Sequence, residues 1–218
     1  MPRILFEKTD NAIWMSHLDL MRLFQRAFRR AGLHLTHTQG FNPRPSVSIA
    51  LPLSVGVKSR CELLDFDLEG DTVSIVQIKD KLNAALVHGV KVLDVYDNGR
   101  KLKELSHLRC RIHLEFKKVS AQVAKASVMQ LLSEDTLIVP KKTKNGMQEQ
   151  DIIPLIREFS IRQDKSKLIV DAIICCQNPS LNPMQIPAAI ALYLPQLQLT
   201  HSNYERLEIL DDQNNVFR

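Results

Sequence analysis

Between Ser16 and Ala31 the apolar residues Leu20, Leu23, Phe24, Ala27, Phe28 and Ala31 fall at i, i+3, i+4, i+7, i+8 and i+11. An α-helix gathers that spacing into one buried stripe, and a strand does not. Ser16 supplies the start, with Asp19 three residues on completing a capping box, and Gly32 supplies the exit. A helix with one apolar face needs a layer to lie on. The neighbouring segments read as strands: Arg3–Lys8 before it, then Val47–Leu53 and Cys61–Leu68 after it. In the last of these Asp65 and Asp67 share a face and read as solvated charges. Thr72–Leu86 predicts a second helix with Val73, Val76, Ile78, Leu82 and Leu86 on its apolar side, and Val90–Tyr96 a closing strand. The order β-α-β-β-α-β is that of a ferredoxin-like unit.

The polar, turn-rich stretch Asp97–Leu105 separates this half from a second run of elements. Arg109–Lys117 reads as a strand, Ala121–Ser133 as a helix, Thr136–Pro140 as a strand and Lys141–Met147 as a basic turn. Asp151–Ile161 and Lys167–Cys176 read as extended. Pro183–Leu194 reads as a short helix that takes Pro187 in its first turn, and Tyr204–Leu210 as a last strand. The expectation is therefore an α+β protein of two tandem ferredoxin-like (βαββαβ) units with antiparallel sheets, over residues 1–97 and 106–218. No sequence repeat is visible, so the duplication rests on element order alone.

Charge is placed unevenly. Residues 1–60 hold nine Lys and Arg against Glu7, Asp10 and Asp19, a net of +6, while the chain as a whole carries +5. On the first helix Arg22, Arg26, Arg29 and Arg30 recur at i, i+4, i+7 and i+8, on a flank beside the apolar stripe. Ion-paired helices mix signs, yet Asp19 is the only acidic residue between Asp10 and Glu62. Guanidinium groups keep their charge and fork onto phosphate oxygens, so the flank suits an anionic partner. A solvated helix face is the plainer alternative.

The loop Thr36–Ser46 (THTQGFNPRPS) adds a second feature. Gly40 allows a turn that other residues resist, and Pro43 and Pro45 stiffen the chain around Arg44. Gln39 and Asn42 offer amide donors and acceptors, while Phe41 offers a flat face for a base or a plug for the core. Together they suit single-stranded nucleic acid. Lys141, Lys142 and Lys144 form another basic segment available to phosphates.

Catalytic sets are harder to find. His17, at the start of the first helix, sits where free backbone N–H groups suit an anion, and it can act as a general acid oriented by Asp19, whose other role is the cap. His17, His34 and His37 match no standard metal spacing, so no metal is expected. Cys61, Cys110, Cys175 and Cys176 form no C-x-x-C pair and read as buried reduced thiols. No phosphate-binding, dinucleotide, nucleophile-elbow or H-E-x-x-H motif is present. No apolar run approaches the ~20 residues that span a bilayer, and the start MPRILFEKTD reads as a strand rather than a signal peptide. A cytoplasmic protein without membrane attachment is expected.

The segments SHLDLMRLFQRAFRRAGL (16–33) and THTQGFNPRPSVSIALPLSVGVKS (36–59), with EQDIIPLIREFSI (149–161), resemble the radical SAM-linked proteins. These are bacterial proteins fused to, or encoded beside, cobalamin-binding radical SAM enzymes. The resemblance implies a companion enzyme that holds the iron–sulfur cluster, SAM and cobalamin, with no cofactor in this chain. It also implies a setting near RNA-processing genes, with rRNA or tRNA as a partner. The tandem order is similar, too, to that of the CRISPR repeat-processing endoribonucleases, whose glycine-rich C-terminal loop is missing here. Three functions follow as expectations. The first is an RNA-binding recognition module serving a radical SAM enzyme, using Arg22, Arg26, Arg29, Arg30, Gln39, Gly40, Phe41, Asn42 and Arg44. The second is a metal-independent endoribonuclease or RNA-modifying enzyme using His17, helped by His37. The third is a protein–protein adaptor for the radical SAM partner.

Overall fold

The stripe at 20–31 is buried as its spacing predicts. In the computed structural model, which describes residues 1–70, 73–117, 119–143 and 146–218, helix α1 spans His17–Arg30 and buries Leu20, Phe24, Ala27 and Phe28. The Ser16 hydroxyl accepts the Asp19 backbone N–H at 3.2 Å, and Gly32 leaves the helix with φ +68°. The layer beneath α1 is a sheet of β1 (Arg3–Lys8), β2 (Val47–Ile49), β3 (Lys58–Phe66) and β4 (Val90–Tyr96), joined by α2 (Ile75–Ala85). Its order is β4-β1-β3-β2, every neighbour antiparallel. Ile4, Phe6, Leu64 and Phe66 from the sheet meet the α1 stripe and Ile78 and Leu82 of α2 in one core. Two ring pairs fix it, Phe6 with Phe24 at 4.8 Å edge-on and Phe28 with Phe66 at 5.1 Å.

Several details differ from the expectation, each for a local reason. β2 stops at Ile49 rather than Leu53, because Leu51 takes φ +48° and Pro52 has no N–H to donate. β3 begins at Lys58 and ends at Phe66, and Leu68 instead bridges to Leu35. Thr72 lies outside the described residues. α2 starts at Ile75, where Ser74 and Gln77 form the capping box. Val76 is exposed, since it lies about 200° around the helix from the buried Ile78. Asp65 and Asp67 are not solvated charges. Asp65 accepts two bonds from Arg3, at 2.6 and 3.1 Å, and Asp67 accepts the Thr36 hydroxyl at 3.0 Å.

The chain divides into two compact units, residues 1–104 with Arg218, and residues 105–217. The second unit contains β5 (His107–Phe116), α3 (Ala121–Leu132), β6 (Ile138–Thr143), β7 (Gly146–Asp151), β8 (Ile156–Asp164), β9 (Lys167–Cys175), α4 (Gln185–Tyr193) and β10 (Leu199–Leu210). Its main sheet runs β10-β5-β9-β8, again wholly antiparallel. Strands β6 and β7 form a separate hairpin between α3 and β8. With that hairpin set aside, both units have the same succession of elements and the same strand order. The expected basic turn over 141–147 is corrected, because Lys141 and Lys142 lie on β6, opposite Gln148 and Met147, while Lys144 lies outside the described residues. Val139, buried two positions before Lys141, anchors the strand that carries them.

Pro187 is accommodated near the start of α4, where its missing N–H costs nothing. None of the four cysteines is in a disulfide; Cys61 and Cys110 are buried as expected, whereas Cys175 and Cys176 are only half-buried. Burial pushes the Cys110 and Cys176 thiols up to about 12, which leaves them poor nucleophiles. No helix among the described residues is long and apolar enough to cross a membrane.

Candidate functional site

Helical geometry decides which arginines of α1 can act together. At about 100° per residue, Arg26 and Arg29 lie within roughly 40° of Arg22, whereas Arg30 lies about 80° from Arg22 on the other side of Arg26. Arg22, Arg26 and Arg29 accordingly line one groove of about 440 Å³. Arg30 leaves the set. It donates to the Ala85 carbonyl at the end of α2.

The opposite wall of the groove is the chain that leaves α1. Gly32 turns it, Leu33 and Leu35 bury their side chains, and the segment pairs with 67–69 through the Leu35–Leu68 bridge and the Glu69 N–H to His34 carbonyl bond of 2.8 Å. That pairing brings His34, His37 and Glu69 to the groove, above a floor that includes Phe28 and Leu35. His37 Nδ1 lies 3.7 Å from Glu69 Oε1, with both side chains more than half exposed. Arg22 lies 3.7 Å from Asp19. Arg26 and Arg29 have no carboxylate partner among the described residues.

The polar loop rises from the rim of this groove. His37 and Pro45 form a bridge at its neck, and Pro45 itself lines the groove. The neck is closed by the Thr38 N–H to Arg44 carbonyl bond of 2.8 Å and by the Arg44 N–H to Thr38 hydroxyl bond of 3.0 Å. Beyond it Gln39, Gly40, Phe41, Asn42 and Pro43 are all exposed, as is Arg44. Gly40 takes φ +139°, a conformation in which a side chain would be strained although space is open around it. Phe41 does not plug the core. Its exposure of 105% is the highest of any large apolar side chain among the described residues.

His17 falls elsewhere. It stands about 140° around α1 from Arg22 and does not line the groove. Asp19 does not orient it, because the Asp19 carboxylate accepts the Ser16 hydroxyl at 2.6 Å, and that bond holds it below the usual carboxylate range. The structure thus unites three of the four helix arginines with the loop neck, and adds His34, His37 and Glu69. Glu69 was not foreseen. The only sequence signal for it is the alternation Leu33-His34-Leu35, which marks a short strand in need of a partner. The described residues contain no group of three His, Cys, Asp or Glu side chains placed to hold a metal. Chemically, the groove can bind an anion through guanidinium forks, and its imidazoles can add hydrogen bonds to it.

Comparison with known proteins yields few leads. No curated protein matches the chain. Among solved structures, a chain in the crystal structure of a Cbf5-Nop10-Gar1 complex superposes with a TM-score of 0.55 at 7% identity, covering 95% of this chain and 48% of that one. The chain therefore spans about half the length of that structure, and the likeness is one of fold. The crystal structure of an unknown protein from Galdieria sulphuraria aligns over 94% of this chain and 96% of its own at 9% identity, with a TM-score of 0.27, too loose to bear on the fold. The residues that build the groove and its loop lie inside the region 2–183 matched by the family described as uncharacterized protein conserved in bacteria (DUF2344), and the chain belongs to that family.

Proposed function

We propose that the chain is an RNA-binding recognition module that presents its substrate to a radical SAM enzyme for modification or processing. One observation carries the RNA half of this reading. Arg22, Arg26 and Arg29 converge on a single groove in which Arg26 and Arg29 meet no carboxylate of their own fold among the described residues. Unanswered guanidinium groups gathered in a concavity are what a phosphate backbone requires. The partner half rests on the resemblance of segments 16–33 and 36–59 to the radical SAM-linked proteins, and iron–sulfur cluster, SAM and cobalamin are assigned to that partner. We read residues 1–97 and 106–218 as tandem ferredoxin-like modules, a reading supported by the strand order that the two compact units share. The contact set is Arg22, Arg26 and Arg29 with loop residues Gln39, Gly40, Phe41, Asn42 and Arg44.

Ultraviolet crosslinking in cells, followed by sequencing of the bound RNA and mass spectrometry of the crosslinked peptides, tests it. Crosslinks should fall between residues 22 and 45. Recovery of no RNA, or of crosslinks confined to the second unit, would refute the assignment. RNase-insensitive capture of an acidic protein through the same arginines would instead favour an adaptor.

A further inference from the structure

We infer that the site selects single-stranded RNA, with one unpaired base stacked on Phe41 while the backbone phosphates lie in the arginine groove. This rests on the groove reading above and adds the class of nucleic acid to it.

One apolar side chain stands in an unfavourable place. Phe41 is fully exposed, and covering an apolar ring of its size is favourable. Nothing in the loop covers it. The neighbours Gln39, Gly40, Asn42, Pro43 and Arg44 are all exposed as well. The loop is nonetheless braced rather than slack. The His37–Pro45 bridge and the two Thr38–Arg44 hydrogen bonds clamp its neck, and two prolines flank Arg44. A braced loop holding an aromatic ring in solvent presents a stacking platform at little entropic cost.

The surroundings say what stacks there. A hydrophobic protein partner would be met by a patch of several apolar groups, whereas the exposed loop around Phe41 consists of Gln39, Gly40, Asn42, Pro43 and Arg44. A nucleobase fits that mixture, offering a flat face to the ring and polar edges to Gln39 and Asn42. Its phosphates are then met by Arg44 and by the arginines below the neck. Bases inside a duplex are already stacked on each other, and exposing one costs the energy of unstacking and unpairing it. The groove arginines contact backbone and serve either form. Phe41 therefore discriminates single strands from duplexes.

The test uses the full chain and two probes of equal length, an unstructured uridine-rich 12-mer and a blunt 12-base-pair RNA duplex, read by fluorescence anisotropy. F41A should weaken 12-mer binding roughly tenfold to a hundredfold and leave duplex binding unchanged. F41L, similar in bulk without the flat face, should behave like F41A, and F41Y should restore binding. Trp14 is the only tryptophan, so W14F/F41W gives a single reporter whose emission should be quenched by the 12-mer and not by the duplex. Wild-type 12-mer affinity in F41A, with binding lost in R26E/R29E, would overturn the stacking inference and leave the groove standing. Wild-type binding of both probes by R26E/R29E would remove the groove reading itself. Equal loss of both probes in F41A would also defeat the inference, since the ring would then not discriminate. Position 41 supports no core contact, so F41A, F41L and F41Y should fold normally.

Discussion

The α1 flank of the first unit and the sheet of the second carry the same kinds of charge and treat them in opposite ways. On the sheet, Arg111 of β5 pairs with Asp171 of β9 at 2.6 Å, Arg162 of β8 reaches the same carboxylate at 3.3 Å, and Lys167 meets Glu115 at 2.7 Å. Each cation is answered by a carboxylate on a neighbouring strand: the register sets Arg111 directly opposite Asp171, and Arg162, opposite Ile169, reaches the same carboxylate diagonally. On α1, Arg26 and Arg29 lie beside each other in a groove and meet no carboxylate among the described residues. Both units share one strand order, so topology does not account for the difference. It lies in which residue types stand opposite each other. Charges closed within the fold serve structure, and charges left open are available to a partner.

That contrast can be broken at several points. The largest expected effect is on the layer that holds the groove. F24A removes a fully buried ring packed at 4.8 Å on Phe6 and should cost about 3–5 kcal/mol in urea unfolding, with anion binding lost as α1 loosens. R26E/R29E comes next. It should lower RNA affinity at least a hundredfold while leaving the unfolding midpoint near wild type, because these side chains are exposed. D171N is the mirror experiment on the sheet. It should cost about 1 kcal/mol or less, since Arg111 and Arg162 would face each other in a partly screened setting, and RNA affinity should not move. R30A separates neighbours on one helix. Losing its bond to Ala85 should cost about 0.5–1.5 kcal/mol, and RNA affinity should stay close to wild type.

The smallest effect is a pH effect. The Lys167 hydrogen bond holds Glu115 below the usual carboxylate range, with burial opposing it. A depressed folded-state pKa adds stability above the ordinary carboxylate value of 4.5, and that stability is lost as pH falls through the folded value. K167Q should therefore flatten the loss of stability below about pH 4.5, as measured by urea unfolding across that range.

The sequence made some of this plain and concealed the rest for physical reasons. Strands β1 and β4 run between their expected ends, because Arg3–Lys8 is bounded by Pro2 and Thr9, and Val90–Tyr96 by Gly89 and Asp97, and Pro, Gly and Asp favour turns or loops over strands. The α1 stripe and its Ser16 cap were equally plain, since both are local signals. Non-local pairings were not. Glu69 reaches the groove only because 33–37 pairs with 67–69, and the half-buried Asp65 meets Arg3 only because β1 and β3 are neighbours. Arg30 was grouped with its neighbours by spacing alone, although the end of α2 claims it. The chemistry of Phe41 suits a plug or a platform equally, and only its full exposure beyond the Thr38–Arg44 neck decides between them. The second unit was obscured by its hairpin, whose lysines imitate a turn, and by the polar start of β10, which begins at Leu199 rather than Tyr204.

The central claim is that the open arginines of α1 form the RNA surface, and the salt dependence of binding tests it most directly. For the unstructured 12-mer, log Kobs against log salt should be linear for the wild type. Its slope should be about −2 if three phosphates are neutralised in the groove, given a contribution of about 0.7 per phosphate on a single strand. R26E/R29E should show little binding at low salt and a slope near zero, while D171N should reproduce the wild-type line. A wild-type slope and affinity retained in R26E/R29E would contradict the account.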